Sequence, residues 1–327
     1  MAANPFVHPA YFYRDDRDYA LTMTRFLRDG LEAGEPVAVA VPPGNLKLIR
    51  AELGADADAV HMLDMTLAGR NPGRIIPAVL RDFADRHPDR HVRIIGEPIW
   101  AGRSASEYPA CAQHEALINF AFDGRRVTIL CPYDAEALTP EVLAEAERTH
   151  PVLQGRDRTH AYAPGEVVSG HNRPLDIPAH AVRLRFDRTN LGEVRVLASE
   201  QAAGFGFAAA RLDDLRLVVT ELGANSIDHG GGSGELRVWT EDGRLVCEIA
   251  DTGHISDPLA GRRPVDPRKA GSRGLLIVNL LSDLVRIHTR EGLTTIRTYF
   301  DLPLGLLPAG IERADGGAGR PLEAPRP

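Results

Sequence analysis

Two spacings of apolar residues alternate along the chain, and the switches between them outline two α/β blocks. In Asp18–Glu32 the apolar Tyr19, Met23, Phe26, Leu27 and Leu31 recur at helical spacing, and Gly34 ends the run. The unbroken apolar stretch Val37–Val41 predicts a buried strand, as do Val60–Met65, Val92–Ile95 and Val127–Leu130. Helical spacing returns between them at Asn45–Leu53, Arg74–Arg86 and Glu107–Asp123. Strands separated by helices predict a mainly parallel sheet covered on both faces. From Pro151 to Pro178 the pattern dissolves among Pro164, Gly165, Gly170, Asn172 and Pro174, which predicts an interdomain linker.

The second block opens on a strand, Ala181–Asp187, with Val182, Leu184 and Phe186 alternating. Helices follow at Asn190–Ala203 and Ala208–Asp228, then a hairpin of Gly234–Thr240 and Leu245–Ala250. A loop rich in Pro, Gly and Arg spans Thr252–Ser272. Then come a helix, Gly274–Ser282, and strands Leu284–Thr289 and Thr294–Leu302. The Gly/Pro-rich end reads as a disordered tail. The division expected is a first domain at 6–155, a linker at 156–179, a second domain at 180–303 and a tail at 304–327.

Composition narrows the class. The 327 residues suit two domains, and 43% hydrophobic with 25% charged residues is the balance of a globular protein with a sizeable core. Acidic residues outnumber basic ones, 45 to 38, and no Lys/Arg block stands out, which argues against nucleic acid as a partner. Cys111, Cys131 and Cys247 form no CxxC pair and read as reduced thiols. No basic start precedes an apolar run, and no stretch approaches the ~18–20 apolar residues of a membrane span. A cytoplasmic protein without a membrane partner is expected.

Four features of the second block carry candidate chemistry. In TELGANSIDHG, Thr220–Gly230, Glu221 and Asn225 share a helix face, with Asp228 and His229 one turn on. An acid and an amide so placed can hold a hydrated magnesium ion and a reacting hydroxyl; a solvated helix face fits as well. In Cys247–Gly253, Asp251 follows a strand. Its carboxylate can accept from an exocyclic amine, and Gly253 lets the backbone approach a flat ring; an Asx turn is the plain alternative. In Gly271–Gly274 a glycine-flanked turn opens a helix, whose free amides and positive end suit an anion, with Arg268, Lys269 and Arg273 nearby. A flexible loop fits this too. In Gly292–Arg297 a hydroxyl on the returning strand can complete a network around a base; a bare hairpin is the plain reading.

The order and spacing of these features resemble the nucleotide-binding signature of the GHKL ATPase superfamily, and within it the anti-sigma-factor serine/threonine kinases, over about residues 180–302. The resemblance implies a GHKL (Bergerat) α/β sandwich with ATP between helices and a mobile lid. It implies Asn225 on Mg2+, Glu221 as the base that takes the proton of a substrate serine, and Asp251 on the adenine amine. Asp228, Gly253, Gly271, Arg273, Gly274, Leu275 and Thr295 complete the implied nucleotide-binding set. It further implies an anti-anti-sigma (STAS-type) protein or a sigma factor as partner, and it allows a homodimer. Three departures stand out: Ile255 replaces a second glycine, the lid holds only Gly271 and Gly274, and Gly223 costs its helix about 1 kcal/mol against Ala.

In the first block, Val41–Asn45 follows a strand but lacks the phosphate-loop pattern of glycines and Lys-Ser/Thr, which argues against nucleotide hydrolysis there. Glu97 and Trp100 follow a strand, Glu107, His114, Glu115 and Asn119 lie on or before the next helix, and Cys131 and Tyr133 follow another strand. All are expected at the carboxyl edge of the sheet, where such folds bind ligands. Packing is the plain role for Trp100 and Tyr133, and a turn cap for Glu97. No two His or Cys candidates stand at metal-site spacing. With His8, Gly30–Glu35 and His150-Pro151, this set resembles the MEDS sensory domain over about residues 6–160. That resemblance implies a RecA-like α/β domain answering an unidentified small-molecule or protein signal.

The reading is a signalling regulator whose sensory domain controls an ATP-binding serine/threonine kinase domain. One alternative is a non-catalytic switch, with or without ATP, that sequesters a sigma factor or another partner. A sensor histidine kinase is another. It needs a helical hairpin bearing a phosphoacceptor His, and residues 151–180, with His160, His171 and His180, show prolines and no heptads. A third makes the first block an enzyme that uses Glu97, Glu115 and Cys131.

Overall fold

The computed structural model describes residues 5–153, 160–264 and 273–303. Its contacts divide the chain into two units, one ending at His171 and the next starting at Asn172. The first unit is built on a six-stranded parallel sheet in the order β3-β2-β4-β5-β1-β6. Its strands are β1 (Pro9–Tyr13), β2 (Val37–Val41), β3 (His61–Asp64), β4 (Val92–Gly96), β5 (Val127–Asp134) and β6 (Val152–Leu153). Every residue of β2 is buried, as an all-apolar strand covered on both faces should be.

Two elements here were not legible as patterns. The strand β1 reads PAYFY, with no alternation, and takes its place between β5 and β6 through its backbone. The helix Pro140–Thr149 is short and opens on a proline. The helix expected at Arg74–Arg86 forms in pieces, Pro72–Ile75, a π-helical Ile76–Leu80 and Arg81–Asp85. Pro77 lies inside the π segment and has no N–H to keep α-helical register.

Part of the expected linker is helical. Pro164–Gly170 is a helix with Val167 buried, and Gln113 donates to the Val168 carbonyl (3.2 Å). His171 lies 2.9 Å from Glu145. From Asn172 the chain joins the second unit: Asn172 Nδ2 donates to the Thr289 carbonyl (2.8 Å), and Arg297 donates to the Asp176 carbonyl (2.6 Å). The tail from residue 304 lies outside the described residues.

The second unit is an antiparallel five-stranded sheet, order β10-β11-β9-β8-β7. Its strands are β7 (Val182–Asp187), β8 (Ser233–Glu241), β9 (Arg244–Asp251), β10 (Leu284–Arg290) and β11 (Leu293–Asp301). Helices Leu191–Ala202, Ala209–His229 and Gly274–Leu281 pack on one face through Val194, Leu215, Leu222 and Val278 against Leu236, Ile249, Ile296 and Phe300. Gly223 has a packing reason, since a Cβ there would meet Leu191 Cδ1 at 2.7 Å. Among the described residues no helix is long and apolar enough to cross a membrane.

A buried ion network ties the strands that end at the candidate site. Glu248 on β9 is fully buried, and it accepts from Arg237 Nη1 on β8 (2.7 Å) and Arg297 Nε on β11 (2.8 Å). Arg297 also lies over the Trp239 ring, 4.7 Å from its centre. Breaking a buried pair leaves an uncompensated charge, at about 3–5 kcal/mol. Glu248→Ala is expected to lower the unfolding free energy of the second unit by that amount, read from urea melts followed by Trp239 fluorescence in a Trp100→Phe background. A loss under about 1 kcal/mol, the scale of an exposed pair, would refute it.

Candidate functional site

Asp251 ends β9 beside the last turn of the helix Ala209–His229. The Ser226 hydroxyl donates to Asp251 Oδ2 (2.6 Å) and the Gly253 N–H donates to Oδ1 (2.8 Å). Glycines make the corner possible: a Cβ on Gly230 would lie 2.4 Å from Asp251 Cγ, and one on Gly253 2.8 Å from the His229 carbonyl oxygen. Thr252 closes it, donating to the Gly230 carbonyl through its N–H (3.1 Å) and hydroxyl (2.9 Å). Each Asp251 oxygen thus accepts one of these bonds and has a further lone pair to offer a ligand.

A chain of hydroxyls runs alongside. Thr294 donates to the Gly253 carbonyl (3.0 Å), Thr289 donates to Thr294 (2.9 Å), and the Ile255 N–H donates to Thr289 Oγ1 (3.0 Å). Asp251, Gly253, Ile255, Thr294 and Ile296 line a cavity of about 770 Å³ together with Asn225, His229, Leu259, Gly274 and Leu275. Ile255, at the expected second-glycine position, forms apolar wall there. Gly274 opens the helix Gly274–Leu281 against the Glu221/Asn225 face. A Cβ on it would come within 2.9 Å of Glu221 Oε2 and 3.1 Å of Asn225 Nδ2. The first-turn amides of that helix have no carbonyl to bind within it, so this corner favours an anion.

The structure sorts the sequence candidates. Asn225, Asp251, Gly253, Gly274 and Leu275 share the cavity, while Glu221 stands behind Gly274 and outside the lining. Asp228 is exposed, pairs with Arg188 (3.4 Å) and is not in the lining; His229, four residues past Asn225 on the same face, takes that position. Thr295 is corrected to Thr294. Along β11 the residues Thr294, Ile296 and Phe300 face the helices, so Thr295 falls on the opposite face. Arg273 is exposed and off the lining, and Gly271, Arg268 and Lys269 lie outside the described residues. Ser226 was missed; its one signal was its place on the helix next to Asn225.

In the first unit the sensory candidates part into separate groups rather than one edge. Glu97 follows β4 at the carboxyl edge and is buried. Tyr13 (3.2 Å), Tyr19 (3.0 Å) and Asn45 (2.8 Å) donate to its carboxylate. Burial nevertheless pushes Glu97 up to about 8 against the pull of these donors. Trp100 and Glu107 brace the loop after β4. The Arg103 guanidinium lies 4.0 Å from the Trp100 ring centre, and Glu107 accepts from the Ser104 N–H (2.9 Å) and hydroxyl (2.6 Å).

His8, Glu115, Asn119, Cys131 and Tyr133 meet instead where the helix Tyr108–Ala121 crosses β1 and β5, joined by His150, which had been noted only as part of a motif. His8 Nε2 lies 3.3 Å from Cys131 Sγ and 3.5 Å from Glu115 Oε2, and His150 Nε2 lies 3.1 Å from the same oxygen. Tyr133 sets its ring edge on His150, with centres 5.6 Å apart. Burial first, and His150 next, push the His8 imidazole down to about 4, so it is neutral at neutral pH. No two of these stand at metal-site spacing in the sequence, yet four possible ligands converge in space from positions 8, 115, 131 and 150.

This architecture defines a two-part protein, and comparison with known families gives both parts names. Residues 7–151 match the model of the MEDS domain (MEthanogen/methylotroph, DcmR Sensory domain), and residues 184–300 match that of the histidine kinase-like ATPase domain. The second part has curated relatives. The serine-protein kinase RsbW of Halalkalibacterium halodurans is 27% identical over 122 residues, 34% of this chain and 75% of its own length. RsbW of Bacillus subtilis (strain 168) is 26% identical over 124 residues, 34% of this chain and 78% of its own. Among solved structures, the RsbU and RsbW domains of Rv1364c from Mycobacterium tuberculosis align at a TM-score of 0.29 and 19% identity, over 38% of this chain and 33% of that one.

The Glu97 site yields a pH prediction. Its folded-state value lies above the ordinary 4.5, so the folded chain keeps a proton that the unfolded chain releases. Stability from this group is full below about 4.5 and is lost as pH rises to about 8, at about 1.4 kcal/mol per unit. Urea midpoints of the first unit across that window should fall in the wild type and lose this slope in Glu97→Gln. Parallel profiles for the two proteins would show the assignment to be wrong.

Proposed function

We propose that the second unit binds Mg-ATP in the cavity beside Asp251 and phosphorylates a serine on a partner protein, under the control of the MEDS domain. The observation that carries this is the Asp251 corner: a carboxylate fixed by Ser226 and Gly253 at the rim of a cavity of about 770 Å³. Its remaining lone pairs suit the amine edge of adenine, and Ile255 and Ile296 offer apolar wall to the ring. The phosphates would lie toward Gly274, where the helix start and Asn225 converge, with Mg2+ held by Asn225 and phosphate oxygens. Glu221 would take the proton from the serine hydroxyl as that oxygen receives the γ-phosphoryl group and ADP leaves, positioning and charge neutralisation supplying most of the catalysis. The name serine-protein kinase carried by the RsbW relatives supports this reading. An anti-anti-sigma (STAS-type) protein is the proposed substrate and a sigma factor the proposed second partner.

A second reading is favoured by one observation: Glu221 lies outside the cavity lining. There the unit is a nucleotide-gated switch that binds a partner without transferring phosphate. Calorimetry with Mg-ATP and Mg-ADP separates the cases. Asn225→Ala should weaken Mg-ATP binding at least tenfold, and Gly274→Ala, which drives a methyl into Glu221 and Asn225, should do the same; unchanged affinity in both would sink the site. Glu221→Ala should keep ATP affinity within about threefold and lose phosphotransfer at least a hundredfold, within the range of general-base effects. A wild type that binds ATP yet labels no STAS-type partner supports the switch.

A further inference from the structure

We propose that His8, Glu115, Cys131 and His150 form a four-ligand site for a divalent transition ion of the zinc class inside the MEDS domain. The four come from distant parts of the chain: the residue before β1, the middle of the helix Tyr108–Ala121, the middle of β5 and the end of the helix Pro140–Thr149. All are buried, and one donor atom from each lies within 4.8 Å of the others. Three of these separations are 3.1, 3.3 and 3.5 Å. Tetrahedral zinc, with bonds of about 2.0–2.3 Å, sets its ligand atoms roughly 3.3–3.6 Å apart. The cage is therefore near the size the ion requires.

The hydrogen bonds around the cluster prepare it for a cation. Asn119 donates its amide to the carbonyls of Thr149 (2.8 Å), Ala116 (3.1 Å) and Glu115 (3.3 Å), which turns its Oδ1 toward His8 Nδ1 at 3.2 Å. An amide oxygen only accepts, so His8 carries its hydrogen on Nδ1. His150 Nδ1 faces the Ala146 carbonyl at 2.8 Å and must donate as well. With Nδ1 engaged outward in each ring, both Nε2 atoms face one carboxylate oxygen. Ligating histidines are oriented by this kind of outer hydrogen bond, which leaves the other ring nitrogen for the ion. Against the upward push of burial, the Glu115 carboxylate is held below the ordinary carboxylate range by the two imidazoles that close on it, so it stays charged as a metal ligand must. A buried carboxylate is costly unless it is paired; a cation between it and the imidazoles would pair it fully.

The donor set selects the ion. Two imidazoles, a thiolate and one carboxylate suit Zn2+, with Co2+ as a faithful stand-in, whereas Mg2+ and Ca2+ want oxygen ligands throughout. Four protein ligands leave no open position, so the site is a clamp that joins both ends of the domain to the sheet.

The test uses the full-length protein, purified without chelator, stripped, and titrated with Co2+. One ion per chain is expected, with visible bands of tetrahedral intensity and a thiolate-to-cobalt band in the near ultraviolet. Zn2+ should displace it and raise the melting temperature of the first unit. Asn119→Ala, which removes the partner of His8, should weaken Zn2+ binding about 10–100-fold in competition with a chromophoric chelator. Cys131→Ser should abolish the near-ultraviolet band; if it does not fold, the wild-type and Asn119→Ala titrations decide alone. Stripped protein that keeps its native circular dichroism yet takes up no Co2+ overturns the proposal. So does a cobalt spectrum without a thiolate band, or affinity unchanged in Asn119→Ala.

Discussion

The second unit turns on one short hydrogen bond, from Ser226 to Asp251 at 2.6 Å. It joins the end of β9 to the helix Ala209–His229 and fixes the carboxylate before any ligand arrives. Holding a carboxylate in a chosen rotamer costs entropy, and the Gly253 N–H on its other oxygen shares that cost. The glycines at 230 and 253 follow from the same constraint, since each stands where a side chain would collide with this corner. Thr294 and Thr289 extend the arrangement across β11 and β10. Below it, Glu248 locks β8, β9 and β11 together, so the strands that present Asp251 and Thr294 share one rigid base.

The first unit faces a different constraint. A parallel sheet covered on both sides has little room for polar groups, and each one inside it must find a partner. Glu97 solves this with two phenols and an amide while burial holds its proton on. The His8–Glu115–Cys131–His150 cluster gathers its polar atoms against one another, within 4.8 Å. Trp100 and Glu107, drawn from the same stretch of sequence as Glu97, brace a loop instead.

Local spacing already sets the candidate nucleotide-site residues near one another. Glu221 and Asn225 four apart, an acid at a strand end and a glycine before a helix are local patterns, and local patterns survive folding when the element forms as expected. It failed where facing had to be chosen. Thr294 and Thr295 are adjacent hydroxyls, and which one meets the helices is decided by the register of β11 on β9, where Thr294 opposes Asp251. Asp228 and His229 pose the same problem on a helix: the exposed acid pairs with Arg188, and the histidine reaches the cavity.

What the sequence by itself determined is the succession of strands and helices, the division into two α/β blocks and the family likeness of each. These depend on residues near one another in the chain, through the periods of 2 and 3.6 and through capping and turn chemistry. Tertiary structure alone decided that residues 164–171 fold onto the first unit, that β1 enters the sheet without an alternating pattern, and that His150 joins His8, Glu115 and Cys131. Such contacts close loops of dozens to more than a hundred residues. Their free energy comes from burial and pairing across that distance, so no local spacing announces them.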